Sequence, residues 1–400
     1  MSDSTLLLFA TCPRGLEEAL VEELVELGIH GAGATGGGVE FRGHLADIYR
    51  VNLHSRLASR VLMRIAHAPY RGEDDIYRLA LAQAWGEWFG PDQTLRVDLT
   101  ATKSPLKSLE FATLRVKDGV CDRLRRDTQR RPDIDTRNPD VRVFCYVDPT
   151  HCSLYLDTSG EALFKRGWRG AVGEAPLREN LAAGILRLAG WRPGRALLDP
   201  MCGSGTFVVE AAQWALGFAP GRSRRFGFEA LRNFDAALWQ ALKQSASEGG
   251  ADALQALALM TASDVSGDAV VLTRANLERA GVGPELALSM APKQIDARQV
   301  RPAHAEGVIV VNPPYGERIA LRNSADDDQF FAEFGDTLKQ RFAGWSCHIL
   351  SSDMQLQRKI RLAPKRRTPL FNGAIECRLY RFDLVAGRPG AQPAVAATEG

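Results

Sequence analysis

Val308-Ile309-Val310-Val311-Asn312-Pro313-Pro314-Tyr315 joins an unbroken β-branched run to a double proline. Four consecutive apolar β-branched residues read as a strand buried on both faces, the pattern of a parallel sheet. Open parallel sheets bind ligands beyond the carboxyl ends of their strands, which is where Asn312 falls. Pro313 and Pro314 lack N–H groups and restrict φ, and a residue preceding proline is held near extended geometry. The stretch therefore predicts a stiff lip presenting an amide, bare carbonyls and an aromatic face. Such a surface suits a flat heterocycle with an exocyclic amine. A stiff strand-to-loop turn with no further role uses the same residues.

Upstream, Leu197-Leu198-Asp199-Pro200-Met201-Cys202-Gly203-Ser204-Gly205-Thr206 reads as strand, tight loop and helix start. Gly203 and Gly205 let the backbone approach a ligand closely, and the helix N–H groups behind them face it. Val208 stands where the dinucleotide fingerprint has its third glycine, which disfavours a nicotinamide enzyme. Asp199, at the strand tip, fits a ligand with a positive charge, such as the amino-acid part of S-adenosylmethionine. Asp264 ends the next strand, before a helix over 268–280, and a carboxylate there holds ribose hydroxyls in dinucleotide folds. Asp268 is a candidate helix cap. Asp296 is a candidate for an adenine amine or an ordinary loop acid. Cys202 reads as loop packing, because a nucleophile needs a nearby base. The scattered histidines, including His304 and His348, show no metal spacing and read as structural.

Around these motifs, helices over 177–188, 206–216 and 330–342 alternate with strands over 195–198, 308–311 and 348–350. That alternation predicts a parallel, doubly wound sheet. The segment 217–253 lengthens its first crossover and carries Arg222, Arg224, Arg225 and Trp239. The first part is α+β. Strands are predicted over 6–10, 39–41, 61–65 and 95–99, and a hairpin from 141–147 and 153–156. Helices are predicted over 16–27, 46–57, 76–88 and 111–126. Two small sandwiches of sheet and helix are expected from this pattern. The Gly/Arg-rich stretch 166–174 reads as linker, and the tail from 387 as disordered.

The chain has 400 residues, enough for two or three domains, with 45% hydrophobic and 24% charged residues, as in ordinary globular proteins. No apolar run approaches the roughly 20 residues of a membrane span. Met1-Ser2-Asp3-Ser4 lacks a basic n-region, so no signal peptide is predicted. The 7 cysteines are scattered without a Cys-x-x-Cys pair, which points to a reduced cytoplasmic protein without structural zinc. Net charge is only +2, but 10 Lys/Arg against 5 Asp/Glu fall between Arg96 and Arg131, and 8 against 2 between Gln355 and Asp383. Such patches on a near-neutral chain fit focused phosphate contact, and two solvated helix faces give the same composition.

Together the 197–206 loop and Asn312-Pro313-Pro314-Tyr315-Gly316-Glu317-Arg318 resemble the THUMP-containing class I RNA methyltransferases. Ala175-Pro176-Leu177-Arg178-Glu179-Asn180, Arg14-Gly15-Leu16-Glu17-Glu18 and Ser55-Arg56-Leu57-Ala58-Ser59-Arg60 fit the same family, so the resemblance runs from about Phe9 to Phe382. It implies an α/β fold: a Rossmann-like, doubly wound methyltransferase domain preceded by α+β ferredoxin-like and THUMP domains. The implied divisions are a ferredoxin-like segment over 1–45, a THUMP RNA-binding domain over 46–158, a linker over 159–175 and the methyltransferase domain over 176–386.

The implied cofactor is S-adenosyl-L-methionine, held by Asp199, Met201, Gly203, Gly205, Thr206, Asp264 and Asp296. Asn312, Pro313, Pro314 and Tyr315 form the implied catalytic lip. Lys103, Lys107, Arg115, Lys117, Arg123, Arg126, Arg130 and Arg131 are the candidate RNA contacts, with Lys365-Arg366-Arg367 a second patch. Ser266 and Gly267 replace the family's common Asp-Pro, leaving Asp264 as the ribose ligand. The implied reaction is N2-methylation of a guanine in 23S ribosomal RNA, at guanine 2445, by a monomer acting on the RNA or a large-subunit precursor, without metal or membrane. Related fused proteins carry a second, 7-methylguanosine-forming domain, and that activity is not expected of this sequence. A transfer-RNA guanine-N2 methyltransferase and a catalytically silent RNA-binding assembly factor are the alternatives. A DNA adenine-N6 methyltransferase shares the lip, but the THUMP-like part disfavours it.

Overall fold

The computed structural model describes residues 5–170, 177–245, 253–283, 290, 292–313 and 324–385. The chain forms two compact units, Met1–Gly184 with Gln213–Ala251, and Ile185–Ala212 with Asp252–Gly400.

The first unit begins β1 (Leu6–Thr11), α1 (Glu17–Glu26), β2 (Gly33–Thr35), β3 (Gly38–Gly43), α2 (Leu45–His54) and β4 (Arg60–Pro69). It continues with α3 (Glu73–Ala82), β5 (Leu95–Ala101), α4 (Leu109–Thr128), β6 (Val141–Val147) and β7 (His151–Asp157). In place of the two separate sandwiches expected from sequence there is one seven-stranded sheet, in the order β2-β3-β1-β4-β7-β6-β5. The cause is the length of β4. Its first residues pair with β1, and the stretch from Leu62 to Pro69 pairs with β7 across a bulge at Arg64/Ala66. Along β6 the side chains alternate buried and half-exposed. Helix α4 contacts β5 and sinks Ala112, Val116, Val120 and Leu124, spaced by four, into the core. A Cβ on Gly119 would lie 2.7 Å from Ala80 Cβ and from Tyr77 O, so this glycine lets α3 and α4 approach closely. The helix expected over 76–88 breaks after Ala82. Trp85 is buried and donates its indole N–H to Ala80 O at 2.7 Å, turning the chain into a short 3-10 segment.

The stretch read as linker is packed where it is described. Arg166 and Trp168 are buried, and Arg166 donates to the carbonyls of Leu163 and Arg56 at 2.6 and 2.7 Å.

Further along lie α5 (Glu179–Leu188), β8 (Leu197–Asp199), α6 (Thr206–Ala215) and α7 (Ala236–Ser245). The long crossover after α6 belongs to the first unit. Tyr49 of α2 lies 4.3 Å from the Phe228 ring and edge-on to Trp239 of α7 at 5.9 Å, and its hydroxyl accepts from the Asp235 N–H. Arg224 donates to the Ala162 carbonyl at 2.9 Å, an intramolecular tie within that unit.

The second unit holds β8, then α8 (Ala253–Ala258), β9 (Met260–Asp264), α9 (Gly267–Arg279), β10 (Lys293–Gln294) and β11 (Gly307–Val311). It ends with α10 (Ser324–Arg341), β12 (Trp345–Ser351), α11 (Leu356–Lys359), β13 (Arg366–Asn372) and β14 (Ile375–Asp383). The sheet order is β10-β9-β8-β11-β12-β14-β13, with β14 alone antiparallel to the rest. Phe334 and Leu338 of α10 and Phe342 just after it join Ile309, Val311, Cys347 and Ile349 in its core. No strand was expected over 355–383. There β13 and β14 form a hairpin around Asn372-Gly373, with Gly373 at φ +65°. Among the described residues no helix is long and apolar enough to cross a membrane.

Candidate active site

Strand order in the second sheet reverses at β8, which lies between β9 and β11, and ligands of open α/β sheets bind at that point. The three strands are parallel neighbours, so Asp199, Asp264 and Asn312 leave the sheet at the same edge. Ile309 pairs with Leu198, so Asp199 follows one residue past that pair and Asn312 three.

Asp199 is 1% exposed. Burial pushes its carboxyl up to about 8, against the hydrogen bond it accepts from the Met201 N–H and helped by the charge of Asp264. A carboxylate buried this way is ionised most easily beside a cation. The loop beyond it turns through two left-handed glycines, Gly203 at φ +53° and Gly205 at φ +78°. They differ in surroundings. A Cβ on Gly203 meets nothing within 4 Å, whereas one on Gly205 would lie 2.7 Å from Thr273 Cγ2. Gly203 leaves room for a ligand, and Gly205 permits helix contact.

The Gly203 N–H donates to Asp264 Oδ2 at 2.9 Å, and the Ser266 N–H to Asp264 Oδ1 at 2.9 Å. Asp264 thereby ties the glycine loop to the next strand while keeping lone pairs free. Two residues missed by sequence reasoning hold the loop from α9. Thr273 donates to the Gly203 carbonyl and Asn276 to the Ser204 carbonyl, each at 2.9 Å, and both side chains are buried. Their signal was a polar pair spaced by three on a helix after an acidic strand tip. The cap of α9 is Ser266 rather than Asp268, which lies in the first turn.

Asp296 caps a 3-10 turn and receives the Arg298 guanidinium at 2.6 Å, so part of its carboxylate is used locally. Hydrogen bonds to Asp296 and then Glu333 raise the Arg298 pKa. Cys202 is buried, its thiol pushed up by burial, and its Sγ lies 3.5 Å from Thr273 Oγ1. It packs the loop and stays protonated. Burial lowers His348 to about 4, which keeps it neutral. Thr206 is buried at the start of α6.

Asn312 is half-buried, Pro313 is buried, and Asn312 Oδ1 is shielded from solvent with no hydrogen-bond partner among the described residues. Pro314 and Tyr315 lie outside the described residues. A cation-seeking carboxylate, open space at Gly203 and an unpaired buried acceptor at the same sheet edge fit a cofactor with a positive amino group beside a substrate with an N–H.

In the first unit, five expected RNA contacts sit in ion pairs: Arg115–Asp74, Lys117–Asp118, Arg123–Asp127, Arg130–Asp92 and Arg131–Asp118. Lys103, Lys107 and Arg126 are exposed and have no ion-pair partner among the described residues. In the second patch, Lys365 pairs with Asp383 while Arg366 and Arg367 extend from β13 into solvent.

A parallel sheet closed by one antiparallel strand, with a glycine loop and acidic strand tips at its switch point, defines a Rossmann-like methyltransferase. The chain belongs to the RMKL-like methyltransferase family, whose methyltransferase-domain profile matches residues 166–381. Profiles described as a THUMP domain and an RlmL ferredoxin-like domain match residues 70–157 and 7–62. A Synechocystis sp. protein, slr0064, named as a candidate RNA methyltransferase, is 38% identical over 384 residues, covering 96% of this chain and 98% of that protein. The ribosomal RNA large subunit methyltransferase K/L of Allochromatium vinosum is 39% identical over 396 residues, 96% of this chain and 52% of that protein. The chain thus spans about half the length of its K/L relatives. The crystal structure of SMU.472, a candidate methyltransferase complexed with S-adenosylhomocysteine, has a TM-score of 0.84 at 28% identity, covering 96% of this chain and 100% of that one. S-adenosylmethionine is the cofactor of this methyltransferase.

Proposed function

We propose that this protein methylates the exocyclic N2 amine of a guanine in 23S ribosomal RNA, guanine 2445 being the position the family resemblance implies. The observation that carries the reading is Asn312 Oδ1, buried and unpaired among the described residues at the tip of β11. An unsatisfied buried acceptor costs on the order of 1–3 kcal/mol, which a substrate N–H offsets. The Pro313 carbonyl is the second acceptor. The lone pair of guanine N2 is delocalised into the ring. Two acceptors on its hydrogens turn that lone pair out of plane, so alignment and fixed dipoles carry the rate. Pro314 and Tyr315, outside the described residues, would wall and stack the base. The bound cofactor supplies a sulfonium-activated methyl group. Asp199 holds its amino group, Asp264 its ribose and Asp296 its adenine, while Met201, Gly203, Gly205 and Thr206 shape the loop. The amine proton leaves to water after transfer, so no strong base is needed. The guanine must first leave its stack, which costs least for an unpaired base.

The THUMP domain and the names of the relatives support an RNA substrate. Lys103, Lys107 and Arg126 are the first phosphate contacts, with the ion-paired Arg115, Lys117, Arg123, Arg130 and Arg131 able to exchange partners. The seven cysteines are buried and unbridged, which fits a reducing cytoplasm, where the protein works as a monomer on the RNA or its precursor particle.

Asn312→Ala is expected to lower kcat by roughly 100-fold or more while cofactor affinity changes less than about threefold. Near-normal turnover in that variant overturns the scheme. Mass mapping of methylated guanines in a deletion strain settles the substrate. Loss of one N2-methylguanine from 23S RNA is expected, and loss from transfer RNA moves the reading there. No loss from either leaves an RNA-binding assembly role.

A further inference from the structure

The first unit's sheet has a core face and a second face that the proposed reaction does not use. Register fixes which residues share each. Met63 pairs with Leu156 and Leu156 with Val143, and all three are buried. One residue along, Arg64 pairs with Tyr155, Tyr155 with Phe144 and Phe144 with Asp98. Past the bulge, His67 pairs with Ser153, Ser153 with Tyr146 and Tyr146 with Thr100. Neighbouring residues of a strand point to opposite faces, so these two rows lie away from the core. On either side of β7 exposure agrees, with His67 and Thr100 exposed and Phe144 and Tyr146 half-exposed, while Ser153 and Tyr155 of β7 itself are buried between their neighbours.

The rows mix flat rings with cations. His67 and His151 stack at 4.7 Å with 5° between their planes, and His67 Nδ1 lies 2.8 Å from Ser153 Oγ. The Arg60 guanidinium sits 5.4 Å from the centre of the Phe144 ring. Arg64 pairs with Glu40 at 3.1 Å and Arg96 with Asp98 at 2.6 Å. At the end of this face, just past β5, Lys103 is exposed at φ +52°, a left-handed conformation that costs a non-glycine residue free energy. Exposed planar side chains bind unpaired bases by stacking, whereas bases inside a duplex offer them no face. Lys103, and the ion-paired arginines once they exchange partners, supply charge for the backbone between stacked bases.

We infer that this sheet face is a stacking platform for unpaired bases of the RNA substrate, with Tyr146 and the His67–His151 pair as base contacts. The inference rests on the RNA reading above and adds a second place where the RNA is held, on the first unit.

Two measurements test it. The double variant His67→Ala/Tyr146→Ala is compared with the unaltered full chain for binding of a short single-stranded RNA and of a blunt RNA duplex. Single-strand affinity is expected to fall roughly tenfold or more, with duplex and S-adenosylhomocysteine affinity unchanged. Separately, a 4-thiouridine-substituted single strand is photocrosslinked to the unaltered protein and the adducts mapped. Adducts within 60–69 or 141–157 are expected, and adducts confined to 107–131 overturn the platform even if the variant fails to fold. Unchanged single-strand affinity in a folded variant overturns it while leaving the RNA reading intact. An unaltered protein that binds neither RNA removes the functional reading and the platform with it. A concentration-dependent dimer that the variant abolishes, with RNA affinity unchanged, assigns the face to a second copy of the chain and also overturns the inference.

Discussion

Asp199 takes a proton in the folded chain at pH values where the unfolded chain has lost it, because burial holds its carboxyl up to about 8 against an ordinary value of 3.8. Between those values the folded state binds more protons, so stability falls as pH rises. The contribution of this group is fully present below about pH 4 and is lost as pH rises through about 8. Asp199→Asn is expected to remove that decline from melting temperatures recorded across the range. On the proposed reading a cationic amino group on the cofactor would reverse the preference of this carboxyl, and binding would then release a proton. Affinity for S-adenosylhomocysteine should therefore weaken by up to about tenfold per pH unit below pH 8 in the unaltered protein. It should show no such slope in Asp199→Asn, which binds weakly throughout. Calorimetric titrations at about pH 6 and about pH 9 read this, and a flat profile in the unaltered protein would remove Asp199 from the cofactor site. The sequence marked Asp199 by its place at a strand tip. It could not mark the depth of burial, which depends on three neighbouring strands.

The loop between β8 and α6 shows what an element-sized motif reveals and conceals. Its glycines were legible because left-handed turns need them locally. Their different tasks were not, since the residue that makes Gly205 obligatory is Thr273, far along the chain. Gly205→Ala is expected to destabilise the second unit by about 2 kcal/mol or more through a clash with Thr273 and a strained φ. Gly203→Ala adds a methyl to open space, so its stability cost is about 1–2 kcal/mol from φ alone, and cofactor binding is the larger loss. Thermal melts paired with cofactor titrations separate the two, and equal effects on both readouts would refute the division. The hairpin β13–β14 was hidden for a related reason. Asn372-Gly373 is a good turn signal, but Lys365-Arg366-Arg367 on an exposed edge strand reads as a charged loop unless its partner strand is known.

At the scale of the whole chain, alternation of apolar strands with helices was enough to place the parallel sheet, because strands buried on both faces announce themselves. The single sheet of the first unit was not legible. It depends on β4 reaching two partners from opposite ends of the unit, a pairing that local sequence does not record. Charge is also a whole-molecule property here. With Lys103, Lys107, Arg125 and Arg126 carrying no ion pair among the described residues of the basic region, RNA affinity should fall with salt at a log–log slope of roughly −3 to −4. Lys103→Ala/Lys107→Ala should reduce the slope by about 1 to 2 and weaken unrelated RNA sequences equally, measured by anisotropy across a salt series. A slope that does not change discards the phosphate role of these lysines.

The segment from Gln213 to Ala251 is encoded inside the catalytic half yet folds with the other. A recombination event that exchanged the catalytic half with a relative through one junction near residue 184 would import a foreign Phe228 and Trp239 for the native Tyr49 to meet. The halves are thus constrained to drift as one lineage, and grafting new chemistry onto this RNA-binding half takes three breakpoints instead of one.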